Sequence, residues 1–211
     1  MANILVVDDS PFIVDIFVTM LKRAGYTAES ADGGPAALEK LKTFRPDLIM
    51  LDIIMEPMDG WETLLAIKQD PTFKDIPVMM LTAKQITPQE AEVYGIYIED
   101  YILKPVTHND LCAAIDTILT RIKNTKEDVE LGRKNGYPEP MIQEYKRLVH
   151  QVSVSRRLIK LLESAYQYDD MPNQVSGDIK TLINNMSRNL TFQNARLIDL
   201  RETFARPNTG A

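Results

Sequence analysis

The sequence predicts an α/β domain with a parallel sheet, followed by an all-α extension built as a long helical hairpin. Three observations carry this. Short apolar runs stop abruptly at polar residues: Ile4-Leu5-Val6-Val7 at Asp8-Asp9, Leu48-Ile49-Met50-Leu51 at Asp52, Val78-Met79-Met80-Leu81 at Thr82, and Tyr101-Ile102-Leu103 at Lys104. Helical segments separate these runs, and strands alternating with helices mean parallel pairing with right-handed crossovers. From Met141 onward the apolar spacing changes to 4-3-4-3, which belongs to long packed helices.

Each element has its own signal. The first strand is 4–7. Ser10-Pro11 supplies a cap residue and a proline at the first helical position. Ile13, Ile16, Phe17, Met20 and Leu21 continue that helix at 3.6-residue spacing until Gly25. A second strand covers about 26–30. Gly33-Gly34-Pro35 opens a helix with Ala36, Ala37, Leu38 and Leu41 inward. Pro46 precedes the strand at 48–51, and a helix covers roughly 60–69. Pro77 precedes the strand at 78–81, and Thr87-Pro88-Gln89-Glu90 starts the next helix with a cap and a first-turn acid. The fifth strand ends at Lys104-Pro105, and the following helix begins at Thr107 with Asp110 in its first turn. The strands are almost wholly apolar, as expected when both sheet faces are covered.

The expected domains are 1–123 for the α/β part, 124–140 for an overrun of the fifth helix plus a linker, and 141–211 for the hairpin. Gly132, Gly136, Pro138 and Pro140 are expected to break the overrun. Met141, Tyr145, Leu148, Val152, Ile159, Leu162 and Tyr166 form one seam, interrupted by Ser155. A turn is expected at Asp169-Asp170-Met171-Pro172-Asn173. Val175, Ile179, Leu182, Met186, Leu190, Leu197, Leu200 and Phe204 stripe the last helix. A lone hairpin buries only part of such stripes. It is expected to pack on a second copy, on the fifth helix, on a partner, or back on its own first domain.

Composition is that of a soluble globular chain: of 211 residues, 45% are hydrophobic and 26% charged. No apolar run approaches the ~20 residues needed to span a bilayer, and the N-terminus has no secretory pattern. One cysteine, Cys112, excludes an internal disulfide and fits a cytoplasmic setting; it reads as a small core residue beside Leu111 and Ile115. Residues 1–123 carry a net charge of −8 and residues 124–211 a net of +2. An acidic first domain would repel nucleic acid, so no nucleic-acid partner is expected.

Parallel strands bring Asp8, Asp9, Asp52, Thr82 and Lys104 to one rim, the carboxyl edge where open α/β sheets hold ligands. Mg²⁺ takes one or two carboxylates and keeps several waters. Asp9 and Asp52 can ligate it, Asp8 can hold a bound water, and a backbone carbonyl after Asp52 can add an oxygen. An aspartate is also a competent nucleophile toward phosphorus. Lys104 can neutralise charge on a transferring group, and Thr82 can donate a hydrogen bond to it. A cis bond at Lys104-Pro105 is a candidate device for aiming the lysine.

Val6-Val7-Asp8-Asp9-Ser10, Leu51-Asp52 with Met58-Asp59-Gly60, Leu81-Thr82-Ala83-Lys84, and Asp100-Tyr101-Ile102-Leu103-Lys104-Pro105 together resemble the receiver domain of two-component response regulators. The resemblance covers residues 1 to about 123. It implies a flavodoxin-like (βα)5 doubly wound sheet. It implies that Asp52 accepts a phosphoryl group from the phosphohistidine of a sensor histidine kinase. Asp9, Asp52 and the Ile54 carbonyl would bind Mg²⁺, with Asp8 acting through water. Thr82 and Lys104 would engage the phosphoryl group. Tyr101 would be the aromatic switch, turning inward as Thr82 vacates space and altering the face made by the fourth helix, fifth strand and fifth helix.

Departures from that family matter. Glu56 adds an acid in Met55-Glu56-Pro57-Met58. Ile54 and Lys84 occupy positions that tune acyl-phosphate lifetime, and an apolar Ile54 cannot orient a hydrolytic water. Gly95-Ile96-Tyr97-Ile98-Glu99-Asp100 is about two residues longer than usual and places Tyr94, Ile96, Tyr97 and Ile98 beside the switch face. His150 and His108 read as surface residues.

The expected function is therefore a response regulator, a phosphoacceptor rather than an enzyme, whose helical tail makes protein contacts, including homo-oligomerisation. The alternative is a transcriptional regulator with an atypical DNA-binding helical output domain, hinted at by Arg156-Arg157-Lys160 and Lys146-Arg147. An aspartate-nucleophile phosphatase fits poorly, because the candidate nucleophile follows the third strand.

Overall fold

A computed structural model describes residues 1–165 and 173–208. These form two compact units: residues 1–85 with 97–119, and residues 86–96 with 120–211.

The first unit carries β1 (Asn3–Val7), α1 (Pro11–Arg23), β2 (Thr27–Ala31), α2 (Gly33–Lys40), β3 (Leu48–Leu51), α3 (Gly60–Gln69), β4 (Val78–Thr82) and β5 (Asp100–Leu103). The five strands are parallel in the order β2-β1-β3-β4-β5. This is the flavodoxin-like doubly wound sheet expected from the sequence. Its order reverses between β1 and β3, so the crevice beyond their carboxyl ends is where a ligand fits. β3 and β4 are buried at every position. Asp59 and Glu62 form a reciprocal capping box that starts α3. A side chain at Gly60 would collide with the Asp52 carbonyl and Ile53 Cα, so glycine lets α3 begin hard against the loop after β3.

α5 (His108–Lys134) starts in the first unit and continues into the second. In the first, Asp116 accepts a 2.5 Å hydrogen bond from the Tyr26 hydroxyl, and Leu111 and Ile115 are fully buried. Cys112 is only half-buried, its sulfur 3.8 Å from His108 Nε2. His108 is also half-buried, not solvated as the sequence implied.

The second unit holds α4 (Pro88–Tyr94), a following 3-10 turn at Gly95–Tyr97, the end of α5, α6 (Glu139–Ala165) and α7 (Asn173–Phe204). α4 starts with a Thr87/Glu90 capping box. α5, α6 and α7 pack as an up-down-up bundle around Val129, Ile142, Tyr145, Leu148, Leu200 and Phe204. Of the partners open to the hairpin, it packs against the fifth helix. Arg121 donates to Ser153 and Tyr145 to Asp128 between α5 and α6. Arg196 forks onto Glu144 between α7 and α6 at 2.8 and 3.1 Å.

The break expected at Gly132 does not occur: the overrun of α5 continues to Lys134, and a short turn leads to α6 at Glu139. Gly132 lies inside α5 because Ile142 and Phe204 close on it; an added Cβ would sit 2.7 Å from Ile142 Cδ1. The helix stops instead at Gly136, whose φ of +82° suits glycine. Pro138 precedes α6 and Pro140 sits in its first turn, where a missing N–H costs nothing. The turn at Asp169 to Pro172, Tyr166 and the Val175 side chain lie outside the described residues.

Candidate functional site

Asp8, Asp9 and Asp52 follow β1 and β3 directly, on the two sides of the sheet's reversal point. The Asp52 N–H donates to the Val7 carbonyl at 2.9 Å, which ties the two strand ends together. Lys104, one residue past β5, reaches across the rim. Its Nζ donates to Asp8 Oδ2 at 2.6 Å and lies 3.4 Å from Asp52 Oδ1. The same ammonium sits 5.9 Å from the centre of the Phe17 ring. Asp8 also accepts from the Ser10 N–H at 2.9 Å. Asp9 points toward the loop after β3 and accepts from the Glu56 N–H at 3.1 Å.

Asp52 is buried, with 8% of its surface exposed, and Oδ1 has no hydrogen-bond partner among the described residues. Burial pushes its carboxyl pKa up; Lys104 and a Thr82 hydrogen bond pull the other way, and Asp8 adds to the rise. A buried acid with an orphaned oxygen is costly. Such an oxygen asks for a cation or an electrophile.

This sets a stability prediction. The folded-state carboxyl binds its proton more tightly than the unfolded one, whose ordinary value is 3.8. Its contribution to stability is therefore full below that value and is lost as pH rises through the folded pKa. Asp52→Asn should be more stable than wild type at pH 7 by on the order of 1 kcal/mol, roughly 2–4 °C in melting temperature. The gain should shrink toward zero as the melts are repeated nearer pH 4. A gain that is independent of pH would show that the charge is not its cause.

Thr82 is fully buried, and its Oγ accepts from the Lys84 N–H at 3.2 Å. Tyr101 is also fully buried; its hydroxyl donates to the Lys84 carbonyl at 2.5 Å, and its ring centre is 6.4 Å from Trp61. Tyr101 is thus already inward in this structure. The Lys84 carbonyl gives its buried hydroxyl a partner. Neither Trp61 nor the double hold on the Lys84 peptide was singled out in the sequence.

Ile54 lies in the loop after β3 with its side chain 60% exposed, and Glu56 is exposed beside it. Both Glu56–Pro57 and Lys104–Pro105 are cis. Among the described residues no three His, Cys, Asp or Glu side chains converge as a ready-made metal cage. A Mg²⁺ site needs only one or two carboxylates, with water and carbonyl oxygens completing it. Asp52, with its orphaned oxygen, and Asp9 supply that number, so the donor set fits a hard divalent cation.

The expected patch around residues 94–98 is only partly exposed. Ile98 is fully buried, Tyr94 and Tyr97 are half-buried, and Ile96 is exposed. His150, expected on the surface, is half-buried on the wall of a cavity of about 200 Å³ in the second unit.

A family profile described as "Response regulator receiver domain" matches residues 4–116, more than half of the chain. The chain belongs to the response regulator receiver family. A second profile, described as "Metanogen output domain 2", matches residues 121–208, so the receiver is followed by a separate helical output-type domain. Among curated relatives, the response regulator MprA of Mycobacterium ulcerans is 30% identical over 165 residues, covering 76% of this chain and 70% of that protein. The chain spans about half the length of other curated relatives it matches, 49% and 50%. Among solved structures, the N-terminal domain of a response regulator receiver protein from Methanoculleus marisnigri JR1 is 62% identical, covers 56% of this chain and 97% of that one, and has a TM-score of 0.49. Chemotaxis protein CheY4 of Vibrio cholerae is 30% identical, covers 56% of this chain and 98% of that one, and has a TM-score of 0.53. None of the described helices is long and apolar enough to cross a membrane.

Proposed function

We propose that this response regulator is a phosphorylation switch in which Asp52 takes a phosphoryl group from the phosphohistidine of a sensor histidine kinase. The observation that carries the proposal is the buried, hydrogen-bond-orphaned Oδ1 of Asp52 facing the Lys104 ammonium across the sheet's reversal point. An Asp52 oxygen attacks phosphorus in line, forming an O–P bond as the P–N bond breaks. The bond's electron pair leaves on the imidazole nitrogen. Bound Mg²⁺, held by Asp9, Asp52 and the Ile54 carbonyl with Asp8 behind a water, would neutralise charge on the phosphoryl oxygens. Lys104 would also neutralise that charge, and Thr82 would give its hydroxyl to one of those oxygens.

Ile54 offers no group to orient a water, so the acyl phosphate is lost slowly. The chain is then a stoichiometric acceptor rather than a turnover catalyst, working in the cytoplasm. Output passes through protein contacts of the helical unit. Exposed Leu131, Phe192 and Ile198 are among the apolar residues there that a second copy or another protein would cover.

A small phosphodonor such as acetyl phosphate tests the chemistry. Intact-mass spectrometry should find one added phosphoryl group in the presence of Mg²⁺. It should find none after chelation or in Asp52→Asn. A label that persists in Asp52→Asn would overturn the assignment. Light scattering with and without beryllofluoride then reads whether the loaded chain changes its mass.

A further inference from the structure

The cavity of about 200 Å³ lies wholly within the second unit and takes no part in the chemistry of the rim. It accounts for the one interruption of the α6 seam. Val152 and Ile159 on either side of Ser155 are buried, whereas Ser155 is half-buried and lines the cavity. A leucine at that seam position would fill the space; the short hydroxyl leaves it open. His150, Gln151, Val154 and Leu158 continue the same wall along one face of α6. Met186, Asn189 and Gln193 form the wall on α7, again at helical spacing. Ala91, Gly95 and Ile96 close a third side. Gly95 has helical angles, φ −56° and ψ −30°, so the backbone does not demand glycine. Space does: an added Cβ would lie 2.8 Å from Leu158 Cδ1 and would crowd the cavity wall.

The lining is polar yet uncharged. No Asp, Glu, Lys or Arg stands among the described lining residues. The charges of α6 fall to either side, at Arg147 and Arg156, and the single charge of α7 between 181 and 195, Arg188, is exposed. An ion entering here would shed water without meeting a counter-charge, which is costly. A neutral ligand escapes that cost. Gln151, Asn189 and Gln193 each offer an acceptor and two donors. The Gln193 amide donates to the Gln151 side-chain carbonyl at 3.4 Å, a long bond that a ligand can replace. A carboxamide pairs in register with a ring edge that carries a donor beside an acceptor. Ile96, Val154, Leu158 and Met186 supply apolar surface for the flat faces of such a ring, and a methionine sulfur suits an aromatic neighbour. Size agrees. A cavity of about 150 Å³ holds one benzene ring, so this one holds a substituted ring or a small fused pair.

We propose that this cavity binds a small uncharged nitrogen heterocycle, of the size of a nucleobase or nicotinamide, with a donor beside an acceptor on its edge. The helical unit is then a small-molecule sensor as well as a contact surface. This goes beyond the phosphoryl chemistry of Asp52 and is decided separately from it.

The test titrates the full chain, carrying ¹³C in its methionine methyl groups, with adenine, hypoxanthine, uracil and nicotinamide. Orotate and nicotinate, the carboxylate counterparts of the last two, are the charged comparison. At least one neutral probe should shift the Met186 methyl resonance with a Kd below about 1 mM. Both anions should bind about tenfold more weakly or worse. The resonances of Met79 and Met80, buried in β4, should stay in place. Ser155→Leu should abolish the Met186 shift while keeping or raising the melting temperature, since it restores an apolar seam residue. Asn189→Leu, at an exposed position that the fold does not depend on, should weaken binding about tenfold by removing one polar partner. No shift at Met186 from any neutral probe at several millimolar would overturn the proposal and leave a water-filled gap. Equal binding of the anions would overturn the uncharged class. Undiminished binding in the folded variants would exclude this cavity as the site, and Asn189→Leu alone decides that point if Ser155→Leu does not fold.

Discussion

Lys104→Ala should cost about 3–5 kcal/mol of stability at pH 7, because it leaves two buried carboxylates facing each other without their cation. Lys104 holds Asp8 at 2.6 Å and Asp52 at 3.4 Å, and only 16% of its side chain is exposed. Solvent screening is therefore weak. The melting temperature should fall by roughly 10 °C, read by circular dichroism. The sign with pH follows from Asp52. Without the ammonium Asp52 binds its proton more tightly still, so the penalty is largest at neutral pH and shrinks as that acid is titrated. Asp52→Asn in the same background should recover part of the loss, since the two sites share one interaction. The chemical effect should be larger still. Removing one preorganised cation from a transferring phosphoryl group slows such steps by ~10²–10³-fold, measurable as the rate of labelling by a small phosphodonor with Mg²⁺. Wild-type stability in Lys104→Ala across that pH range would mean that the rim is held by backbone geometry alone.

Why this rim was legible in the sequence, and the second unit only in part, has a physical explanation. A parallel strand buried on both faces must be apolar throughout, so its end is marked by the first polar residue. Asp8, Asp52, Thr82 and Lys104 each stand at such an end. Capping is equally local: Thr87 with Glu90 and Pro11 at the start of α1 name their helices without tertiary help. Packing of small residues is different. Gly132 and Gly95 look like helix breakers, yet both sit where another helix comes close, against Ile142 and Phe204 in one case and Leu158 in the other. Nothing in single-sequence spacing separates a glycine that ends a helix from one that admits a neighbour. Gly136, with its positive φ, is the one that ends α5. The hold on Tyr101 is hidden for a related reason. Its partner is a backbone carbonyl, which no side-chain pattern reveals.

Phe204→Ala should damage the helical unit while leaving the sheet standing. Phe204 is 1% exposed and is the meeting point of all three bundle helices. Its ring centre lies 5.3 Å from both Tyr137 and Tyr145, and Gly132 of α5 lies beneath it. Its carbonyl accepts a 2.8 Å hydrogen bond from the Asn135 side chain, which fastens the end of α7 to the α5–α6 turn. Truncating a buried phenylalanine costs about 3–5 kcal/mol, from lost burial and from the cavity it leaves. The glycine beneath cannot fill that space, so collapse around it is limited. The two units have separate cores, so the loss should appear as local unfolding. Amides of α6, α7 and the end of α5 should lose hydrogen-exchange protection, while those of β1, β3 and β4 keep theirs. Phe192, 77% exposed on the same helix, supplies the control: its alanine variant should stay within about 0.5 kcal/mol of wild type. Equal loss of protection in the strands would show that the chain unfolds as one cooperative block, with α4 and the shared helix α5 carrying the collapse from one core to the other.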